Sequence, residues 1–205
     1  MGIKNTQQET DFWTLRYQEN RTGWDIGYPS TPIKAYFDQI ADKSLKILIP
    51  GAGNAYEAEY LFQSGFKNVH ILDIAKPPLE IFKSRVPSFP TNQAILGNFF
   101  EYQPHVLYDI IVEQTFFCSF PPLPNNRKLY AKTMHQLLAP KGKLVGLWFN
   151  FPLKGDLVKR PFGGSKEEYL TYFQPYFNVK TFESCHNSIP PRSGNELFGI
   201  FEKIA

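Results

Sequence analysis

Cysteine is scarce in this chain. Cys118 and Cys185 stand alone among 205 residues, with no Cys-x-x-Cys spacing, which excludes a disulfide framework and a thiolate-bound metal. His70, His105, His135 and His186 also lack the spacing of metal ligands. No stretch approaches the roughly 18 apolar residues of a membrane span, and residues 1–10 are polar, without the apolar centre of a signal peptide. Concentrated charge of one sign is missing too. Lys and Arg number 22 against 19 Asp and Glu, a net +3, and the basic residues are scattered rather than gathered into a nucleic-acid arm. There is no internal repeat and no low-complexity tract. From these absences we expect a cytoplasmic protein with reduced thiols and no nucleic-acid or membrane partner. Nothing signals an oligomer, so a monomer is expected.

What the chain does have is the material of a core. Hydrophobic residues make up 42% and aromatics 16%, enough for one domain over residues 1–205. Residues 1–11 read as a loose tail and 12–17 as a short aromatic helix. The segment from 20 to 32, rich in Gly, Pro and Thr, reads as a loop. Apolar, β-branched runs predict strands at 45–49, 69–73, 93–97, 108–113 and 143–149. Helices are predicted at 32–40, at 54–64 with Asn54 as its cap, at 77–85, at 125–138 ended by Ala139-Pro140-Lys141-Gly142, and at 165–173 behind a capping box. Strands at 177–183 and 196–202 follow one another directly. The alternation predicts an α/β fold of the Rossmann-like kind, its last two strands pairing as a hairpin-like edge.

The sharpest local signal is Ile47-Leu48-Ile49-Pro50-Gly51-Ala52-Gly53, a strand running into a two-glycine turn. Twenty residues past Gly53, Asp73 ends the next predicted strand. Bare backbone followed by a carboxylate suits a ribose-containing cofactor. A dinucleotide site uses a third glycine where this chain has Tyr56, so the turn lacks the pyrophosphate geometry. S-adenosylmethionine has a ribose and an adenine but no phosphate, and it is favoured. A tight turn with no ligand is the plain alternative. Gly97-Asn98-Phe99-Phe100 ends the third strand; Asn98 offers an amide to an adenine edge and Phe99 a ring face. Glu113-Gln114-Thr115-Phe116-Phe117-Cys118 follows the fourth and suits a pocket mouth.

Taken together, the chain resembles the thiopurine S-methyltransferase family, most closely its thiol and halide methyltransferase branch. The resemblance runs from Phe12 to about Glu202. It is carried by Phe12-Trp13 with Tyr17, Thr22-Gly23-Trp24-Asp25, the glycine turn, Gly97-Asn98-Phe99-Phe100, Thr115-Phe116-Phe117-Cys118, Leu138-Ala139-Pro140-Lys141-Gly142 and Arg192-Ser193-Gly194-Asn195-Glu196-Leu197. It implies a class I methyltransferase, with a seven-stranded, mostly parallel sheet, one antiparallel edge strand, and helices on both faces. It further implies that residues 1–32 form a tail and active-site cover, and that Trp13, Tyr17 and Trp24 wall the S-adenosylmethionine. Gly51 would lie against its methionine part, Asp73 against its ribose, Asn98 and Phe99 against its adenine, with Gly53, Glu113 and Gln114 beside it. Two positions depart from the family pattern. Asn98 stands where Asp is usual, and Gln114 where the halide branch commonly has an aromatic residue.

The chemistry expected is in-line displacement by a thiol, sulfide, halide or thiopurine, driven by orientation and exclusion of water rather than by a metal. Aromatic residues after the fourth and fifth strands, Phe116, Phe117, Phe120, Phe151 and Phe162 with Pro161, supply a lid, and Phe116 is placed at the reacting centre. No general base stands out. An arginine that favours the anionic acceptor is expected instead, Arg192 first and Arg127 second, with a surface role as the alternative for Arg127. Cys118 is read as pocket lining. Two rival functions stay open. One is an NAD-dependent oxidoreductase, for which Tyr176 and Lys180 have the Tyr-x-x-x-Lys spacing but fall on a predicted strand. The other is a non-catalytic module that binds S-adenosylmethionine.

Overall fold

The computed structural model describes residues 6–153 and 159–204. Helices α1 (Thr6–Gln18) and α2 (Thr31–Asp38) precede the sheet. Then come β1 (Lys46–Pro50), α3 (Tyr56–Gln63), β2 (Asn68–Asp73), α4 (Lys76–Arg85), β3 (Ala94–Leu96), β4 (Tyr108–Gln114), α5 (Pro124–Leu137), β5 (Leu138–Phe149), α6 (Lys166–Phe173), β6 (Phe177–Ser184) and β7 (Glu196–Lys203). The seven strands lie in the order β3-β2-β1-β4-β5-β7-β6. Strands β1 to β5 are parallel, while β7 runs antiparallel to both β5 and β6. The antiparallel pair therefore sits at the sheet edge as expected, with the reversed strand itself one place in from the end.

Period-two side-chain alternation divides the core between the two faces of the sheet. Ile47 and Ile49 of β1 join Ile33, Phe37, Leu61 and Phe82 on one face. Leu48, between them, joins Tyr130, Trp148 and Phe173 on the other. After β1 the chain moves outward to β2 and β3, then returns to lay β4 on the opposite flank of β1. That reversal opens a crevice at the carboxyl ends of the central strands, where α/β sheets bind ligands.

Three expectations need correction. Helix α1 begins at Thr6, not near residue 12. None of its residues is fully buried, so it has no apolar stripe to betray it. Its turns are tied by local side-chain bonds instead, Gln7 to Asp11 at 2.7 Å and Trp13 Nε1 to Glu9 at 3.1 Å. Asn54 does not cap α3. The residue flanking that helix is Ala55, in the left-handed region, and the Asn54 amide donates to the Asp25 carboxylate. Helix α5 passes straight into β5 at Leu138. The Ala139–Gly142 segment is an irregularity inside that strand, where pairing moves from Tyr108–Leu138 to Ile110–Lys143 and Lys141 has φ 63°.

Candidate active site

The crevice is a cavity of about 470 Å³, within the range of small-molecule sites. Its sheet side is built from strand ends. Gly51 and Gly53 follow β1 with φ of 59° and 53°, a left-handed conformation that favours glycine. Asp73 ends β2, 7% exposed. Its Oδ2 accepts from the Gly53 backbone N–H and its Oδ1 from that of Ala75, each at 2.8 Å. Asp73 also lines the cavity, and an ionised carboxylate has about four acceptor positions. Burial raises its pKa to about 6, with the Ala75 and Gly53 N–H groups working in the opposite direction.

The other side is aromatic. Trp13 and Trp24 meet edge-to-face at 5.3 Å, Tyr17 and Trp24 at 5.8 Å, and all three line the cavity. A Cβ at Gly53 would lie 2.6 Å from the Tyr17 hydroxyl, and one at Gly51 2.1 Å from the Phe116 ring. The close approach that these glycines allow is thus taken first by the protein's own rings. Burial pushes the Tyr17 hydroxyl well above its ordinary pKa. Of the aromatic lid, Phe116, Phe120 and Phe162 line the cavity, whereas Phe117 packs in the core against Tyr130 at 4.7 Å and Phe151 sits against Phe149.

Phe99 also lines the cavity, but Asn98 does not. The Asn98 side chain accepts from Phe100 N–H at 3.0 Å and donates to Thr6 Oγ1 at 3.0 Å and to Glu101 at 3.1 Å. It shapes the turn that presents Phe99 and ties it to α1. Glu113 is fully buried and faces away from the cavity. One of its oxygens accepts from the Phe116 and Phe117 N–H groups at 2.7 and 2.8 Å, the other from the Tyr130 hydroxyl. Burial raises its pKa to about 7 against those donors. Gln114 and Gly53 do not line this cavity but a smaller one that shares Gly51, Trp24 and Thr115 with it, and the Gln114 Oε1 is buried with no partner.

Neither expected arginine lines the cavity. Arg192 donates from Nη2 to the Trp24 carbonyl at 2.8 Å and lies 3.5 Å from Glu196. It supports the Trp24 loop from behind. Arg127 is 1% exposed, so it is not a surface charge. It pairs with Glu168 at 2.6 Å and donates to the Gly163 carbonyl at 2.6 Å. Two charged residues that the sequence did not single out do line the cavity, Glu9 from α1 and Arg160 from the loop after β5. Glu9 fell in the segment read as a tail and Arg160 in a loop without a motif. Cys118 is buried beneath this wall and donates from Sγ to the Thr115 carbonyl at 3.2 Å; burial raises its pKa far above the usual thiol range. Among the described residues no group of three or more His, Cys, Asp and Glu could hold a metal ion, and no helix is long and apolar enough to cross a membrane. Lys180 lies on β6 and Tyr176 just before it, so the two do not share a helix.

The family model described as Thiopurine S-methyltransferase matches residues 8–204. The chain is 29% identical over 196 residues to a probable thiol methyltransferase 2 of Arabidopsis thaliana, covering 93% of this chain and 84% of that protein. It is 27% identical over 197 residues to thiocyanate methyltransferase 1 of the same plant, covering 94% and 84%. Among solved structures it resembles the 1,6-didemethyltoxoflavin-N1-methyltransferase of Burkholderia thailandensis, solved with S-adenosylhomocysteine. The TM-score is 0.77 at 15% identity, over 96% of this chain and 88% of that one, a likeness of fold.

Proposed function

We propose a function from one premise: the chain belongs to the thiopurine S-methyltransferase family. It is an S-adenosylmethionine-dependent methyltransferase that acts on a small soft nucleophile, a thiol, sulfide, halide or thiopurine. Relatives named for thiol and thiocyanate methylation support that acceptor class. In this chain the reading is carried by Asp73, a buried carboxylate in the cavity wall beside two left-handed glycines, with one backbone partner on each oxygen.

The residues present suit the cofactor. Asp73 would accept from the ribose hydroxyls, and hydrogen bonds to a charged group contribute about 1.5–3 kcal/mol each. Phe99 would face the adenine, with Asn98 setting its turn. Gly51 and Gly53 would keep the floor low. Gln114 Oε1, a buried acceptor without a partner, would take a donor of the methionine part. Trp13, Tyr17 and Trp24 would close the site, with residues 6–32 as its cover; residues 1–5 of the expected tail lie outside the described residues. Glu113 would act at one remove, holding the turn that carries Phe116.

When bound, the cofactor supplies an electrophilic methyl group on a sulfonium sulfur. The chain's own residues do the rest. The rings of Trp13, Trp24 and Phe116 exclude water and offer faces to a cation, worth about 0.5–2 kcal/mol. Alignment of the reactants by a closed, rigid wall can contribute on the order of 7–11 kcal/mol. Titration calorimetry with S-adenosylmethionine, S-adenosylhomocysteine and NAD tests the first half, and heat is expected with the first two alone. A panel of sulfide, iodide, thiocyanate, an aryl thiol and a thiopurine tests the second. Absence of heat with either sulfur nucleoside overturns the reading, and binding without turnover of any acceptor reduces the protein to a binding module.

A further inference from the structure

Arg160 is the one cation among the described residues that line the cavity. It is held from three sides. Its Nε donates to the Ser119 carbonyl at 2.6 Å. Its Nη2 donates to both carboxylate oxygens of Glu9, at 2.8 and 3.0 Å. Its guanidinium carbon lies 4.5 Å from the centre of the Phe12 ring and 5.3 Å from that of Trp13. Just beyond it, the Phe162 N–H donates to the Cys118 carbonyl at 2.8 Å, which pins the segment to the turn after β4. So fixed, Arg160 loses little freedom when it binds something more. A guanidinium has five N–H groups. Glu9 and Ser119 take three, and among the described residues the Nη1 pair has no partner.

The loop that carries it stands apart from the strands that carry the cofactor residues. Asp73 ends β2 and the glycine turn follows β1, whereas Arg160 comes from the loop after β5, with β4 between β1 and β5. Resting on the methyltransferase reading above, we propose that Arg160 is the side chain that holds the acceptor's negative charge, and that Glu9 weakens that hold by design of the pair. An acceptor that arrives as an anion gives up no proton. As its bond to the methyl carbon forms and the carbon–sulfonium bond breaks, its charge and the sulfonium charge cancel. That accounts for a cavity in which the two carboxylates, Asp73 and Glu9, are both already hydrogen-bonded and no other carboxylate or imidazole stands among the described residues that line it. Glu9 has a reason of its own. A bare guanidinium in an aromatic cavity would repel a sulfonium and collect any small anion. Paired with a carboxylate, it keeps donors in a fixed place without a full net charge.

The two halves of the pair therefore act with opposite sign, which a purely structural brace cannot do. The probe is sodium thiocyanate, titrated by calorimetry into the full-length protein saturated with S-adenosylhomocysteine. Arg160→Gln is expected to weaken thiocyanate by about tenfold or more, with S-adenosylhomocysteine affinity unchanged within about twofold. Glu9→Gln is expected to tighten thiocyanate by about threefold. The KM for thiocyanate in turnover should move with these values while that for S-adenosylmethionine stays level. Thiocyanate binding that survives Arg160→Gln overturns the proposal. So does parallel weakening of both ligands in both variants, which makes the pair a brace. Loss of S-adenosylhomocysteine affinity alone in Arg160→Gln overturns it too, by giving the arginine to the cofactor. A wild-type protein that gives no heat with S-adenosylhomocysteine defeats the methyltransferase reading itself, a failure distinct from these.

Discussion

Asp73 and Glu113 occupy matching places, the carboxyl ends of β2 and β4 on either side of β1, and they do different things. Both are buried, and burial raises the pKa of both. Asp73 divides two backbone donors between its two oxygens and lines the cavity. Glu113, one methylene longer, turns back under its own strand end and collects Phe116, Phe117 and Tyr130. One carboxylate lines the cavity while the other builds the turn that carries part of its wall. Topology puts an acid at a strand end, and side-chain reach with local donors decides whether it lines the cavity.

The strongest way to break this contrast is Asp73→Ala. It should lower S-adenosylhomocysteine affinity by at least about a hundredfold in calorimetry, the sum of two charged hydrogen bonds, and an affinity within tenfold of wild type would place the ribose elsewhere. Glu113→Ala should act on stability instead. It strands three donors, two of them buried, at about 1–3 kcal/mol each, so thermal unfolding should shift down by about 6 °C or more, and the folded fraction at low temperature should keep most of its affinity.

Arg192→Ala sharpens the comparison from behind the site. Freed from the guanidinium, the Trp24 carbonyl loses its donor, and S-adenosylhomocysteine should weaken by about fivefold at unchanged KM for the acceptor. A loss confined to the acceptor would return Arg192 to the role first expected of it.

The smallest effect is one of pH. The folded pKa values of Asp73 and Glu113 lie above their unfolded ones, so the folded protein binds their protons more tightly. The contribution of these two groups to the stability of the free protein should be full below about pH 4, where both states are protonated, and should be lost as pH rises through about 6 and 7. Ligand affinity should run the other way. Half-protonated Asp73 at pH 6 should cost about a factor of two against pH 7.5, a drift that Asp73→Ala abolishes and Glu113→Gln leaves in place.

Much of the site was legible because its signals are local. Gly51 and Gly53 declare a backbone that needs positive φ, and Asp73 sits at a countable distance beyond them. Trp13, Tyr17 and Trp24 announced an aromatic cover, though not the length of the helix that carries two of them, because α1 buries none of its residues completely. Asn98 was read by residue type as an adenine partner, and the structure gives its amide to Thr6, Glu101 and Phe100. Such competition from 92 residues away leaves no trace in a strand-end motif.

The succession of strands and helices along the chain and the glycine turn were set by the sequence alone, because hydrophobic period and backbone sterics act between near neighbours. Which charged groups reach the cavity was decided only in three dimensions. Arg127 and Arg192 stand in recognisable surroundings and turn away, while Glu9 and Arg160, 151 positions apart, meet across the opening. A salt bridge depends on where two backbones finally lie, and that is fixed by the packing of the whole sheet and its cover, not by the residues on either side of each charge.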